Sequence, residues 1–265
     1  MQPMTNIAVR AARSAGKVLM QYFDRVETLN VTQKSRHDFV SQVDRAAEME
    51  IIEVLRKAYP DHSILAEETG SHDGNDYQWI IDPLDGTTNY LHGFPQFSIS
   101  IACTHKGELQ TGVVYDPLKD EMYTADKGQG AYLNGRRIRV ANRKGLDGAL
   151  IGTGFPFRDQ THLDTYAEMF KAMVKDTAGI RRPGSAALDF AYVAAGRSDG
   201  FWELGLSVWD FAAGALLVRE AGGTVTDISG GDQHMETGNV VAGNLKVHAD
   251  MLKVLKPHLN DDLKA

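Results

Sequence analysis

Trp79-Ile80-Ile81-Asp82-Pro83-Leu84-Asp85-Gly86-Thr87-Thr88-Asn89 carries more of the reading than any other part of the chain. Its apolar opening, Trp79-Ile80-Ile81, predicts a buried strand. The strand runs into Asp82-Pro83-Leu84-Asp85, which delivers two carboxylates into a tight turn. Pro83 fixes its own φ and biases Asp82 toward extended backbone. Gly86 lets the backbone approach a ligand closely. Thr87, Thr88 and Asn89 are helix-starting residues, and the first N–H groups of a helix are open to an anion. Two carboxylates beside a phosphate-accepting turn would repel a phosphate unless cations stood between them. The stretch therefore predicts a site for divalent metal and phosphate.

Taken alone, the same residues make an ordinary solvated turn, because Asp-Pro and Asp-Gly pairs are common turn formers. Two further features favour the site. Glu67-Glu68 closes the short apolar run Ser63-Ile64-Leu65-Ala66. Trp209-Asp210 opens an apolar helical pattern through Phe211, Ala212, Ala215, Leu216 and Val218. An Asp at that position also reads as an N-cap. Three acidic clusters, each at the end of an apolar segment, are harder to explain as three unrelated turns.

The chain has 265 residues, 43% of them hydrophobic, enough for one large domain or two intimate subdomains with a sizeable core. A net charge of −7 disfavours nucleic-acid binding through a general basic surface. Cys103 is the single cysteine, which rules out an internal disulfide and fits a reducing compartment. It lies in the apolar run Phe97–Thr104 and reads as a small core residue. Met4 to Phe23 is amphipathic rather than a signal core, and no run reaches the length of a membrane span. The expectation is a cytoplasmic protein with no membrane partner.

Ile7, Ala8, Ala11, Ala15, Val18, Leu19 and Tyr22 share one helical face. A polar segment, Thr28 to Asp38, follows; its Lys34-Ser35-Arg36-His37-Asp38 reads as a mobile loop or a solvated charge run. A second helix is expected over Asp44–Tyr59, stopped by Tyr59-Pro60-Asp61. Beyond the acidic turn, Phe97–Ile101, Thr111–Tyr115 and Glu121–Ala125 read as strands, and Asn134-Gly135 as a hairpin turn. Residues 1–145 thus form an α+β subdomain with an antiparallel sheet. Residues 146–265 alternate strand and helix signals. Strands are expected at Leu150–Thr153, Gly200–Glu203 and Val240–Ala242, and helices at His162–Lys175, Ala186–Ala195 and Asp210–Glu220. This second subdomain is of α/β type, and the two share one core.

In these residues the chain resembles the inositol monophosphatases, within the lithium-sensitive, magnesium-dependent phosphatase superfamily. Ala66-Glu67-Glu68, the eleven-residue acidic stretch, Gly184-Ser185-Ala186-Ala187, and Trp209-Asp210 followed by Ala221-Gly222-Gly223 carry the resemblance, in order and over nearly the whole chain. The N-terminal segment, Gly154-Phe155-Pro156-Phe157 and Arg181-Arg182 look most like the bacterial SuhB-type branch. The resemblance implies the layered α-β-α-β-α sandwich of the inositol monophosphatase and fructose-1,6-bisphosphatase type.

It also implies site roles and two or three Mg²⁺ ions. Glu67, Asp82 and the Leu84 carbonyl would hold the first ion. Asp82, Asp85 and Asp210 would hold the second, an oxygen set that suits a hard cation. Glu67, Asp44 and Thr87 would take catalytic roles, the Thr87 hydroxyl and Asp44 orienting and deprotonating the attacking water. Asp44 also reads as an N-cap for its helix. Leu84, Asp85, Gly86, Thr87 and Asp210 would surround the phosphate. Gly184, Ala186 and Glu203 would face the alcohol portion, with Glu203 accepting from a hydroxyl. Arg181 would touch the leaving group or a partner subunit, although a surface salt bridge explains it equally well. His92, His105 and His162 lack partners at recognisable spacing and read as structural.

The activity implied is hydrolysis of myo-inositol monophosphate and similar polyol phosphates by a homodimer. An aspartyl-phosphate enzyme of the haloacid-dehalogenase type is disfavoured. Asp82-x-x-Asp85-Gly86-Thr87 is one residue longer than that motif and comes late in the chain. A fructose-1,6-bisphosphate or 3′-phosphonucleotide phosphatase of the same superfamily is the alternative. The SuhB-type likeness further implies a transcription antitermination role, tied to ribosomal RNA synthesis, through RNA polymerase and Nus-factor contacts. RNA binding would be indirect or weak.

Overall fold

The computed structural model describes residues 2–23, 25–26, 31–35, 38–156 and 160–263, with the backbone alone for 31–35 and 38–41. The order opens with α1 (Pro3–Phe23), β1 (Val31–Ser35), β2 (Asp38–Ser41) and α2 (Gln42–Ala58). Next come β3 (His62–Ala66), β4 (Gly70–His72), β5 (Asn75–Asp85), α3 (Thr87–Leu91), β6 (Ser98–His105) and β7 (Glu108–Asp116). Then follow β8 (Glu121–Asp126), β9 (Gly130–Leu133), β10 (Arg136–Ile138), β11 (Leu150–Thr153), α4 (Leu163–Asp176) and β12 (Gly179–Arg181). The chain continues through α5 (Ala186–Ala194), β13 (Gly200–Glu203), α6 (Val208–Glu220) and β14 (Thr224–Thr226). It closes with α7 (His234–Thr237), β15 (Val240–Gly243) and α8 (Leu245–Leu255).

Five layers result, α-β-α-β-α. An eight-stranded sheet, in the order β10-β9-β8-β7-β6-β5-β3-β4, draws on residues 62–138; a five-stranded sheet, β12-β11-β13-β15-β14, draws on residues 150–243. Side-chain alternation explains the layering. Along β5 and β6, Trp79, Ile81, Ile101 and Cys103 pack with α1 and α2, whereas Ile80 and Ala102 pack with α5 and α6. In the second sheet, Phe201 and Ala242 face α5 and α6, and Trp202 and Val241 face α4 and α8. Both faces of both sheets are covered, so the strands read as continuous apolar runs rather than clean alternations.

The middle helices are buried on almost every side, which is why their sequences show little polar face. Close packing here depends on glycine. A Cβ on Gly214 of α6 would stand 2.4 Å from Phe190 Cβ, and one on Gly112 of β7 would stand 2.8 Å from the Ala213 carbonyl oxygen.

Two expectations change. The segment read as a loop or charge run contains a strand pair, with Val31 opposite Ser41 and Gln33 opposite Phe39; Arg36 and His37 lie outside the described residues. The first sheet is not wholly antiparallel. Strand β4 folds back beside β3 as an edge hairpin, and the returning chain enters on the other side of β3 as β5. Two reversals leave β5 parallel to β3. The Asn134-Gly135 hairpin is as expected, with φ of 48° and 77° at the two residues.

Candidate active site

The parallel pair builds the first half of the site. Its register sets Ala66 against Ile81, so the next residues, Glu67 and Asp82, emerge side by side at the same edge. The Glu67 N–H donates to the Ile81 carbonyl at 3.1 Å and locks that placement. Glu48, fully buried one turn after Asp44 on α2, accepts from the Glu68 and Thr69 N–H groups at 2.8 Å each. Sequence reading missed Glu48; its i,i+4 spacing from Asp44 on an otherwise apolar face was the available signal.

Pro83 has no N–H to give the sheet, and the ladder slips at that point. Asp82 pairs with Ser100 and Asp85 with Ser98, so three steps on β5 match two on β6. The Leu84 N–H turns onto Asp82 Oδ1 at 2.9 Å, and Gly86 caps α3 at φ 92°. Thr87 Oγ1 lies 3.0 Å from the Leu84 carbonyl oxygen and 3.2 Å from Asp44 Oδ1. Asp44 is therefore no N-cap: α2 begins at Gln42, and the buried Asp44 side chain reaches across to α3.

Asp210 is likewise not the N-cap of its helix. Ser207 occupies that place, and Asp210 Oδ2 accepts from the Ser207 N–H at 2.8 Å. Ser100 Oγ donates to the Trp209 carbonyl at 3.0 Å, which fixes the start of α6 against the bulge of β5. Asp85 reaches the opposite way. It accepts from Ser185 Oγ at 2.5 Å and from the Ala187 N–H at 2.8 Å, with Ala186 N at 3.3 Å. The Ala186 amide, assigned to the alcohol portion by resemblance, is thus directed at Asp85 in this structure. Asn89 ties the two loops together, donating to the Gln96 and Pro183 carbonyls at 2.8 Å each.

Electrostatics mark the cluster as unusual. Burial pushes the Asp82 carboxyl well above its ordinary range, and Glu67, Asp85 and Asp210 each push it further. Burial raises Asp85 to about 6, against the lowering effect of its bonds to Ser185, Ala187 and Ala186. Among the described residues, no three His, Cys, Asp or Glu side chains converge on one point as an ion would require. Asp85 and Asp210 are instead each turned onto helix-end amides. The donor chemistry nevertheless fits a hard cation: four carboxylates and the Leu84 carbonyl are all oxygen ligands. The repulsion around Asp82 is what a divalent ion would relieve.

A cavity of about 500 Å³ opens beside this cluster, lined by Asp85, Gly86, Thr87, Gly184, Ala186, Glu203 and Asp210 among others. Glu67, Asp82, Leu84 and Asp44 are not part of that lining. Arg181 does not reach it; its Nη1 donates to the Ile180 carbonyl and the side chain is exposed. Its neighbour Arg182 lines the cavity instead, with its guanidinium 5.5 Å from the Phe155 ring centroid. His162, read as structural, is also part of the lining. Gly154 makes room for Glu203: a Cβ there would fall 1.8 Å from Glu203 Oε1.

The inositol monophosphatase family model matches residues 1–260. The chain belongs to the inositol monophosphatase family. A Pseudomonas aeruginosa relative, the Nus factor SuhB, is 56% identical over 270 residues, covering all of both chains. The crystal structure of the extragenic suppressor protein suhB from Bartonella henselae superposes with a TM-score of 0.95 at 45% identity, covering 97% of this chain and all of that one. SaIMPase-II, solved with inositol monophosphate bound, gives a TM-score of 0.82 at 29% identity, covering 97% and 95%. Like those inositol monophosphatase folds, the chain is an α/β layered structure. No described helix is long and apolar enough to cross a membrane.

Proposed function

We propose that the chain is a Mg²⁺-dependent phosphomonoesterase that hydrolyses myo-inositol monophosphate and similar polyol phosphates. The observation that carries the reading is the placing of three buried carboxyls, Asp82, Asp85 and Asp210, and the half-buried Glu67 within electrostatic reach of Asp82, beside a cavity of small-ligand size. Membership of the inositol monophosphatase family and a relative that binds inositol monophosphate support the substrate class.

Glu67, Asp82, Asp85, Asp210 and the Leu84 carbonyl would hold the magnesium. When bound, it supplies positive charge to the phosphoryl oxygens and acidifies water. The chain's own groups do the rest. The Thr87 hydroxyl has one hydrogen and is within reach of both Asp44 Oδ1 and the Leu84 carbonyl. When that hydrogen points to Asp44, the lone pairs of Thr87, a residue of the cavity lining, are free to accept. A water donating to Thr87 is then oriented for attack, and its proton has a path to Asp44 Oδ1. The Leu84 carbonyl has two lone pairs, so accepting from Thr87 leaves one for a ligand. The Gly86 and Thr87 N–H groups would hold phosphate oxygens. Glu203 would accept from a hydroxyl of the alcohol. Water as nucleophile leaves no phospho-enzyme.

The test is phosphate release from inositol-1-phosphate, fructose-1,6-bisphosphate and a 3′,5′-nucleotide, each with Mg²⁺ and with excess EDTA. Preference for the first, lost in EDTA, supports the reading. Full activity in EDTA would sink it, and preference for either of the others would move the chain to that branch.

The shared name Nus factor among full-length relatives favours a second reading, contact with the transcription antitermination machinery by a homodimeric protein. A partner surface needs about 800 Å² per side, far more than the cavity mouth presents. Asp85→Asn should thus keep such partners in a pull-down while losing phosphatase activity. Loss of both from a folded variant would show that the two functions share the site.

A further inference from the structure

Asp189 lies on the first turn of α5, the helix whose start carries Ser185, Ala186 and Ala187. A first-turn carboxylate commonly serves its own helix dipole from the solvent side. Asp189 is placed differently. It is 95% buried (5% exposed), yet it lines the cavity. Its carboxyl packs on β11, where a Cβ on Gly152 would stand 3.3 Å from its Oδ1. Glu203, Asp85 and Arg182 all lie within electrostatic reach of it, the first two opposing its ionisation and Arg182 favouring it. Its backbone N–H donates to the Ser185 carbonyl, but no hydrogen bond of its carboxyl is found among the described residues. The carboxyl oxygens are not among the sealed, unpartnered polar atoms of the described residues; they open to the cavity, where a bound ligand can satisfy them.

The position of the partner is fixed by the rest of the cavity. Gly86 and Thr87 line the phosphate end, and Glu203 lines the end where the alcohol would sit. Asp189 and Glu203 stand over neighbouring positions of β11, Asp189 above Gly152 and Glu203 above Gly154. Anionic groups on the ligand are unfavourable there. A sugar-like ring with adjacent hydroxyls suits the place. Each hydroxyl both gives and takes a hydrogen bond, so the contact holds whichever protonation state Asp189 adopts.

Resting on the phosphatase reading above, we infer that Asp189 is a second specificity-determining carboxyl beside Glu203. The two together seat two hydroxyls of the leaving polyol. The substrates taken would be phosphate monoesters of polyols carrying at least two free hydroxyls on the ring face turned toward α5 and β13. Phosphate esters of simple alcohols would lack both contacts.

The test compares wild type, Asp189→Ala and Asp189→Asn with Mg²⁺ on inositol-1-phosphate and on p-nitrophenyl phosphate, which has no hydroxyl to offer. Losing a charged or buried hydrogen bond should cost Asp189→Ala about ten- to a hundredfold in kcat/KM on inositol-1-phosphate, mostly through KM. Its loss on p-nitrophenyl phosphate should stay within about threefold. Asp189→Asn keeps the shape and the hydrogen-bonding capacity, and should recover most of the inositol-1-phosphate activity. Equal losses on the two esters, or an Asp189→Ala enzyme with unchanged KM for inositol-1-phosphate, would overturn the inference while leaving the phosphatase reading intact. A wild type inactive on both esters would overturn both.

Discussion

Asp82 shows how single residues here are set against stability. Its neighbours Glu67, Asp85 and Asp210 all oppose its ionisation, and burial adds to them. Asp82→Asn keeps an oxygen to accept from the Leu84 N–H and replaces a repelled carboxyl by a donor. Without metal this variant should therefore be more stable than wild type, by about 1–2 kcal/mol. It should also be nearly inactive, because an amide cannot match a carboxylate as a ligand for Mg²⁺. Urea denaturation in EDTA and phosphate release with Mg²⁺ check the two halves; an active variant, or one less stable in EDTA, contradicts this account of the cluster. Gly154 makes the reverse case, a residue with no chemistry that the site requires. The space its missing Cβ leaves is filled by the Glu203 carboxylate. Gly154→Ala should displace Glu203 and cut kcat/KM on inositol-1-phosphate by about tenfold. Its melting temperature should stay within a few degrees of wild type, since the shifted group is the end of a side chain. If the activity is unchanged, Glu203 does not depend on that gap.

At the scale of elements, the sequence was most legible where burial wrote a continuous apolar run. Trp79–Ile81, Phe97–Ile101, Gly200–Glu203 and the helices around Ala186 and Asp210 were all placed to within a few residues. Of the acidic residues beside those runs, Asp85, Glu203 and Asp210 line the cavity. Strands β1 and β2 were not legible, because Lys34 to Asp38 shows neither alternation nor an apolar stretch. The parallel pairing of β3 with β5 was also hidden. It depends on which side of β3 the chain returns, and no local propensity encodes that. Nor does spacing reveal that Arg182 rather than Arg181 lines the cavity, since Arg181 ends a three-residue strand, Arg182 follows directly, and both are exposed. The contact between α6 and α7 carries a prediction of its own. His234 Nε2 lies 2.8 Å from Arg219 Nη2, a guanidinium that only donates, so the ring accepts and must be neutral. Burial and the Arg219 charge lower its pKa from 6.5 to about 4. The folded value lies below the unfolded one, so this contribution is complete above pH 6.5 and is lost as pH falls toward 4. Up to about 3 kcal/mol is at stake. Urea midpoints of wild type and His234→Gln, measured from pH 7.5 to 4.5, should converge over that window. Parallel curves would mean that His234 is not held neutral.

On the scale of the whole molecule, the cluster is where the layers meet. Asp82 and Asp85 come from the eight-stranded sheet, Glu67 directly follows its strand β3, and Asp210 comes from the middle helical layer. Asp85 is further tied to the first turn of α5, which packs on the five-stranded sheet. Charges drawn from separate layers repel one another across the junction, so the metal-free chain stores its strain where it is joined. A cation bound there would remove that repulsion and bridge the layers together. By mass action, Mg²⁺ at a hundred times its Kd should stabilise the folded chain by about 2.7 kcal/mol. For a chain of this size that corresponds to a rise of roughly 5–10 °C in melting temperature. The rise should be nearly absent in Asp82→Asn, even though that variant begins from the more stable metal-free state. Because one core cluster joins β5, α5, α6 and the second sheet, the gain should appear as a single cooperative transition. Amide exchange should slow together in β5 and in the first turns of α5 and α6. Calorimetry and hydrogen exchange with and without Mg²⁺ provide the measurement. Protection confined to β5, or an equal Mg²⁺ response in Asp82→Asn, would show that the ion does not bridge the layers through this cluster.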